Sequence, residues 1–154
     1  MTIPALPVTF PRSMASNGFL ARGKVVDTKD STVVFTPLDT NYQLYLETNG
    51  RYTGPMNQIV EARIRAKARK VYTVPSGGGF IAPIFGSPRT IQGRALLVED
   101  RQLVLRASIP ITIELPQSED AIDLDDGSIS VGAIVNVVAF PGATFELVPS
   151  SAGK

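Results

Sequence analysis

From residue 19 onward, apolar and polar side chains alternate in short runs separated by turn residues. Residues 19–26 read as a strand, residues 32–36 are β-branched and aromatic, and residues 42–47 alternate cleanly. That spacing puts one set of side chains on each face of an extended chain and predicts strands. Residues 27–31 and 38–41 hold the Asp, Asn, Ser and Thr of turns, and Asn49-Gly50 and Gly54-Pro55 punctuate a longer loop. After residue 93 the alternation resumes through residues 93–100, 102–106, 111–114 and 134–148, with Pro141-Gly142 marking a turn.

Residues 59–70 carry the densest charge and the most ambiguous pattern. With period two, Glu61, Arg63, Arg65, Lys67 and Arg69 share one face, and Val60, Ala62, Ile64, Ala66 and Ala68 share the other. With period 3.6, Val60, Ile64, Ala68 and Val71 form a narrow apolar stripe, and Ala, Arg and Lys are good helix formers.

A comparison of the chain with itself favours strand. Gly93-Arg-Ala-Leu-Leu-Val-Glu-Asp matches Gly23-Lys-Val-Val-Asp-Thr-Lys-Asp in pattern, and Gln102-Leu-Val-Leu-Arg matches Ser31-Thr-Val-Val-Phe. Ile111-Thr-Ile-Glu matches Leu44-Tyr-Leu-Glu, Ile134-Val135 matches Ile59-Val60, and Val148-Pro-Ser matches Val74-Pro-Ser. The order agrees throughout, and the shifts in spacing fall in loops. The counterpart of the basic segment is then rich in Val and Phe and broken by Pro141-Gly142. Residues 59–66 are expected as one strand and 70–74 as another, with small alanines facing a tight interior.

The expected fold is all-β, with two related repeats of about five strands each. Residues 18–75 form a basic repeat and 90–150 an acidic one, either as tandem small barrels or fused about a pseudo-twofold axis. The strand order is similar to that of small OB-like or MOP-type barrels. Residues 1–17 form a Pro-rich arm, and residues 76–89 a Gly- and Pro-rich connector.

Composition narrows the chemistry. The 154 residues contain no Cys and no His, so thiolate chemistry, disulfides, His-based triads and most zinc sites are absent. No apolar run reaches the ~20 residues that span a bilayer as a helix, so no membrane partner is expected, and the location expected is cytoplasmic. Gly77-Gly-Gly lacks the Gly-Lys-Ser/Thr of a phosphate loop, and Glu119 to Gly127 departs from a calcium loop because Ile122 and Leu124 fall where ligands are needed. No catalytic residue, cofactor or metal site is assigned. An enzyme using carboxylates without His or Cys is the least favoured class.

Charge supplies the remaining clues. Residues 18–75 carry nine cations against five carboxylates, whereas residues 90–150 carry three against nine. Arg63, Arg65, Lys67, Arg69 and Lys70 form a candidate surface for an anion, a nucleic acid single strand or another partner. Phe80, Ile81, Ile84 and Phe85 make the connector too apolar for a free linker, so it either caps the core or docks on a second copy. The expected function is that of a non-catalytic module acting by binding or self-assembly into a homo-oligomer, with single-strand nucleic acid binding as the alternative.

Overall fold

The computed structural model describes residues 19–99, 101–116, 122–123 and 129–148. The Pro-rich arm and most of the acidic 119–127 loop therefore lie outside the described residues. Among the described residues every regular element is a strand. The first three are β1 (Ala21–Lys29), β2 (Thr32–Pro37) and β3 (Gln43–Glu47), followed by the long β4 (Ile59–Val74). The connector holds β5 (Phe80–Ala82) and β6 (Phe85–Gly86). The second half contributes β7 (Thr90–Val98), β8 (Gln102–Arg106), β9 (Pro110–Glu114), β10 (Ile122–Asp123), β11 (Ile134–Ala139) and β12 (Thr144–Val148).

All twelve strands belong to one hydrogen-bonded sheet that is organised on β4. Two circuits of pairing run through this strand. One passes from β1 through β2, β3 and β12 to the first half of β4, and β4 pairs back to β1. The other runs from the second half of β4 through β11, β7, β8 and β9 and returns to β4. The weakest link is β3–β12, a single residue pair between Glu47 and Thr144. Residues 59–74 are one continuous strand, so the expected break between residues 66 and 70 does not occur, nor does the helix that local propensity allows. Helix propensities differ by only tenths of a kcal/mol per residue for these side chains. Pairing with β1, β9, β10, β11 and β12 outweighs them.

Along β4 the side chains of Ala62, Ile64, Ala66, Ala68 and Val71 are buried. The inward spacing lengthens from two residues to three between Ala68 and Val71, because Arg69 is an extra residue opposite β11: Lys70 pairs with Val138 and Ala68 with Ala139. The bulge puts both Arg69 and Lys70 outside.

The core is one cluster of aliphatic side chains with Phe35 and Phe145, whose ring centroids lie 5.4 Å apart. Tyr52 meets Phe145 edge-on at 5.9 Å from the 48–58 loop. That loop is pinned to β1 where the Asn57 N–H donates to the Val25 carbonyl at 2.8 Å. Buried polar groups are few. Asn136 Nδ2 donates to Gln92 Oε1 at 2.9 Å, and Gln92 Nε2 donates to the Gly78 carbonyl at 2.9 Å, tying β11 to β7 and the connector. Asn136 Oδ1 is buried without a partner.

Candidate functional site

The outer face of β4 carries the five cations singled out from the pattern, but pairing gives them different surroundings. On one side β12 runs antiparallel, setting Glu146 opposite Arg63 and Thr144 opposite Arg65. Arg63 Nη1 donates to Glu146 Oε1 at 2.7 Å. Arg63 is only 8% exposed, and its Nε is buried with no partner. On the other side β9 runs parallel, setting Lys67 opposite Glu114 and Arg65 opposite Thr112. The first part of the stripe therefore meets carboxylates from the second half of the same chain. Arg65 is half-buried and Lys67 exposed, and they flank a small cleft of about 130 Å³ beside Glu114 and Thr144.

Arg69 and Lys70 are exposed, and among the described residues neither has a carboxylate partner. Arg69 lines a cleft of about 530 Å³ with Arg89, Ser87, Thr90 and Phe140. Among the described residues no ion pair or side-chain hydrogen bond involves Arg69 or Arg89. Three main-chain bonds hold the walls together. The Phe140 N–H donates to the Lys67 carbonyl at 2.8 Å, the Ala139 N–H to the Arg89 carbonyl at 2.8 Å, and the Arg89 N–H to the Ala82 carbonyl at 2.9 Å. Pattern reading reached Arg69 but not Arg89 or Phe140. Those two lie 20 and 71 residues further along the chain, and pairing of β11 with β4 and β7 brings them together.

The connector is held to the body on both sides. β5 pairs with β7, and β6 with the start of β3, where the Gln43 N–H donates to the Ile84 carbonyl at 2.8 Å. The Ile81 N–H donates to the Tyr42 hydroxyl at 3.1 Å. Of the four apolar residues assigned to assembly, Ile81 is buried at 2% and belongs to the core. The alternation of β5 turns it inward and leaves Phe80 at 38% exposure. Ile84 and Phe85 are 53% and 62% exposed. Phe85 pairs with Gln43, and Tyr45, two residues along the same outer face of β3, is 46% exposed. Ile84, Phe85 and Tyr45 are thus three exposed large apolar side chains on paired or adjoining segments, of which the pattern marked the first two for assembly. Tyr45 read as an alternating strand position and, with Phe35 and Tyr42, as an aromatic available for stacking, with nothing in the sequence to place it beside Phe85.

A third cleft, about 530 Å³, lies between the 48–54 loop and β12. Tyr52 stands in it, and burial pushes its phenol pKa up, so the proton stays on the oxygen and the hydroxyl donates to the Pro55 carbonyl at 2.7 Å. Among the described residues no group of three or more carboxylate, His or Cys side chains gathers to hold a metal ion, and no helix is long and apolar enough to cross a membrane. No protein family, curated protein or solved structure matches this chain.

Proposed function

We propose that this protein is a non-catalytic β module of two OB-like barrels, and that it works by self-association through the exposed side chains of Ile84, Phe85 and Tyr45. Several pairings support the barrel reading. Each circuit has three consecutive antiparallel strands, a fourth that pairs back to the first, and a fifth parallel to the third. That is the order of a five-stranded Greek-key barrel of the OB type. The fifth strand of each barrel comes from the other half of the chain: β12 completes the first, and the second half of β4 completes the second.

Register supports a duplication. Gly23 faces Val60 as Gly93 faces Val135, at spacings of 70 and 75 residues. Both first strands bulge, at Val26 and Leu96, also 70 residues apart. Two matches shift on this basis. Residues 32–36 correspond to 102–106, one residue from the match made on pattern alone, because strands of similar composition align equally well one step out of phase. Val148 sits opposite Glu61 and Val74 opposite Ile134, so these two valines occupy different places in the register, and residues 149–150 lie outside the described set.

The observation that carries the assembly reading is a difference between the two barrels. Tyr45 pairs with Val34 as Thr112 pairs with Val104. Thr112 and Val104 are 2% and 0% exposed, whereas Tyr45 is 46% exposed beside Phe85 and Ile84. One outer face is closed off and its counterpart presents large apolar side chains, which is how protein contact surfaces are marked. A second copy could cover this face about a twofold axis. The Arg63–Glu146 pair satisfies part of the charge split within one chain, so apolar contact rather than charge would hold the copies together. Sedimentation of the wild type and of the Ile84→Ser, Phe85→Ser double variant tests the reading. The wild type is expected to sediment as an oligomer and the variant as a monomer, and identical behaviour of the two rejects it.

A further inference from the structure

We infer that the cleft between the β4 bulge, the end of β11 and the end of the connector is a binding site for single-stranded nucleic acid, in which Arg69 and Arg89 hold phosphate and Phe140 stacks on a base. The site uses none of Ile84, Phe85 and Tyr45, so its test is separate from that of the assembly reading. Three properties point to this ligand.

The first is unopposed charge. Arg69 and Arg89 reach the cleft from segments distant in sequence, and among the described residues the other polar side chains in its wall are the hydroxyls of Ser87 and Thr90, with no carboxylate lining it. A guanidinium fork binds phosphate oxygens in two parallel bonds, and hydroxyls add donors. Arg63 provides the contrast, since it lies on the same strand but is buried against Glu146. The second property is the aromatic ring. Phe140 is 46% exposed at the cleft rim, although a solvent-facing phenylalanine gains nothing from water. A cation pair beside an open ring is the arrangement that takes a backbone phosphate and an unstacked base together. A duplex keeps its bases stacked and would leave the ring unused.

The third property is continuity with rigid walls. Pro141 lines both this cleft and the smaller one beside Arg65, Lys67 and Glu114, so cations continue along β4 past the 140–142 turn with one carboxylate beside them. Arg65 to Arg69 covers about 13 Å of extended strand, long enough to follow a chain of phosphates rather than one. The bulge that adds Arg69 to β4 is the device that turns it outward, and main-chain bonds from Ala139 and Phe140 fix the opposite wall before any ligand arrives.

The test is fluorescence anisotropy of a labelled single-stranded oligonucleotide with the full chain at low salt. Binding is expected, and with about three phosphates engaged it weakens roughly 20-fold between 50 and 200 mM salt. Phe140→Ala is expected to weaken it roughly five- to 150-fold, the range for losing one stacked base. The Arg69→Glu, Arg89→Glu double variant should reduce binding at least as much, whereas Lys29→Glu, an exposed cation on β1, should leave it near the wild-type value. All substituted side chains are exposed, and circular dichroism checks that each variant keeps its strands. Absence of binding at low salt overturns the proposal. So does loss on removing the arginines with no change on Phe140→Ala, which would describe a general polyanion surface, and so does a preference for duplex over single strand.

Discussion

Arg63 donates to Glu146 at 2.7 Å across adjacent strands that lie 83 residues apart in the chain. The guanidinium side chain is 10% exposed and the carboxylate 63%, so the cation depends on this partner more than the anion does. An uncompensated buried charge costs more than a deleted one.

Glu146→Ala should therefore destabilise the protein by about 1.5–3 kcal/mol, the range for a hydrogen bond to a charged group. Arg63→Met, which removes the charge and the unpartnered Nε while keeping the apolar stem, should cost less. Urea unfolding of both variants makes the comparison, and the reverse order would mean that Arg63 contributes by packing rather than by its pair.

A methyl group has no room at two glycines. A Cβ at Gly23 would collide with the Thr36 carbonyl oxygen and lie 2.7 Å from Phe35 Cζ and 2.8 Å from Pro37 Cα. One at Gly93 would collide with the Arg106 carbonyl, 2.6 Å from its carbon. Gly23→Ala and Gly93→Ala should each cost about 1–3 kcal/mol or more through overpacking against backbone, which cannot swing away. Gly78→Ala meets nothing within 4 Å and should change stability by less than about 0.5 kcal/mol. Thermal unfolding of the three variants checks the contrast.

The strands, the turns and the inward alanines of β4 were legible because a period of two survives wherever one face is buried. The continuity of β4 was not, since the comparison of the chain with itself carried the Pro141-Gly142 break of residues 134–148 onto a segment that has no such turn. Nor was the sharing of β4 between two circuits, because strand exchange depends on which partner a strand meets. For the candidate sites, the pattern located Arg69, Ile84 and Phe85 but had no means of joining Arg89 to Phe140, or Tyr45 to Phe85. Those juxtapositions are made by β-pairing across tens of residues. It also set Arg63 among free cations, when Glu146 comes to it from the other end of the chain.

The buried Asn136 offers a pH test. Asn136→Asp would place a carboxyl where Oδ1 has no donor, and burial would raise its folded pKa above the ~3.9 of the unfolded chain. Below about pH 4 that carboxyl is protonated in both states and can still donate to Gln92 Oε1. As pH rises toward the raised folded value the unfolded state loses its proton first, so stability falls. Unfolding of the variant at pH 4 and pH 7 should show it weaker at pH 7 relative to wild type. A parallel pH response of the two proteins would place that side chain in contact with solvent.

Strand exchange makes the two halves interdependent. A fragment ending at residue 78 lacks β12, which covers residues 61–65 of β4, and a fragment beginning at residue 79 lacks the part of β4 that pairs with β9 and β11. Neither should fold alone, and mixing them should restore the β-sheet circular dichroism signal of the intact chain. Independent folding of either fragment would mean that the exchange is not needed for stability.

The most direct measurement of the proposed function is the mass of the full chain by light scattering over a range of concentrations, at low salt and again at about 1 M salt, where charge contacts are screened to within about 3 Å. Contact through Ile84, Phe85 and Tyr45 predicts a mass that is a multiple of 16.5 kDa, rises with concentration and survives high salt. A mass of 16.5 kDa at every concentration and both salt levels would contradict it.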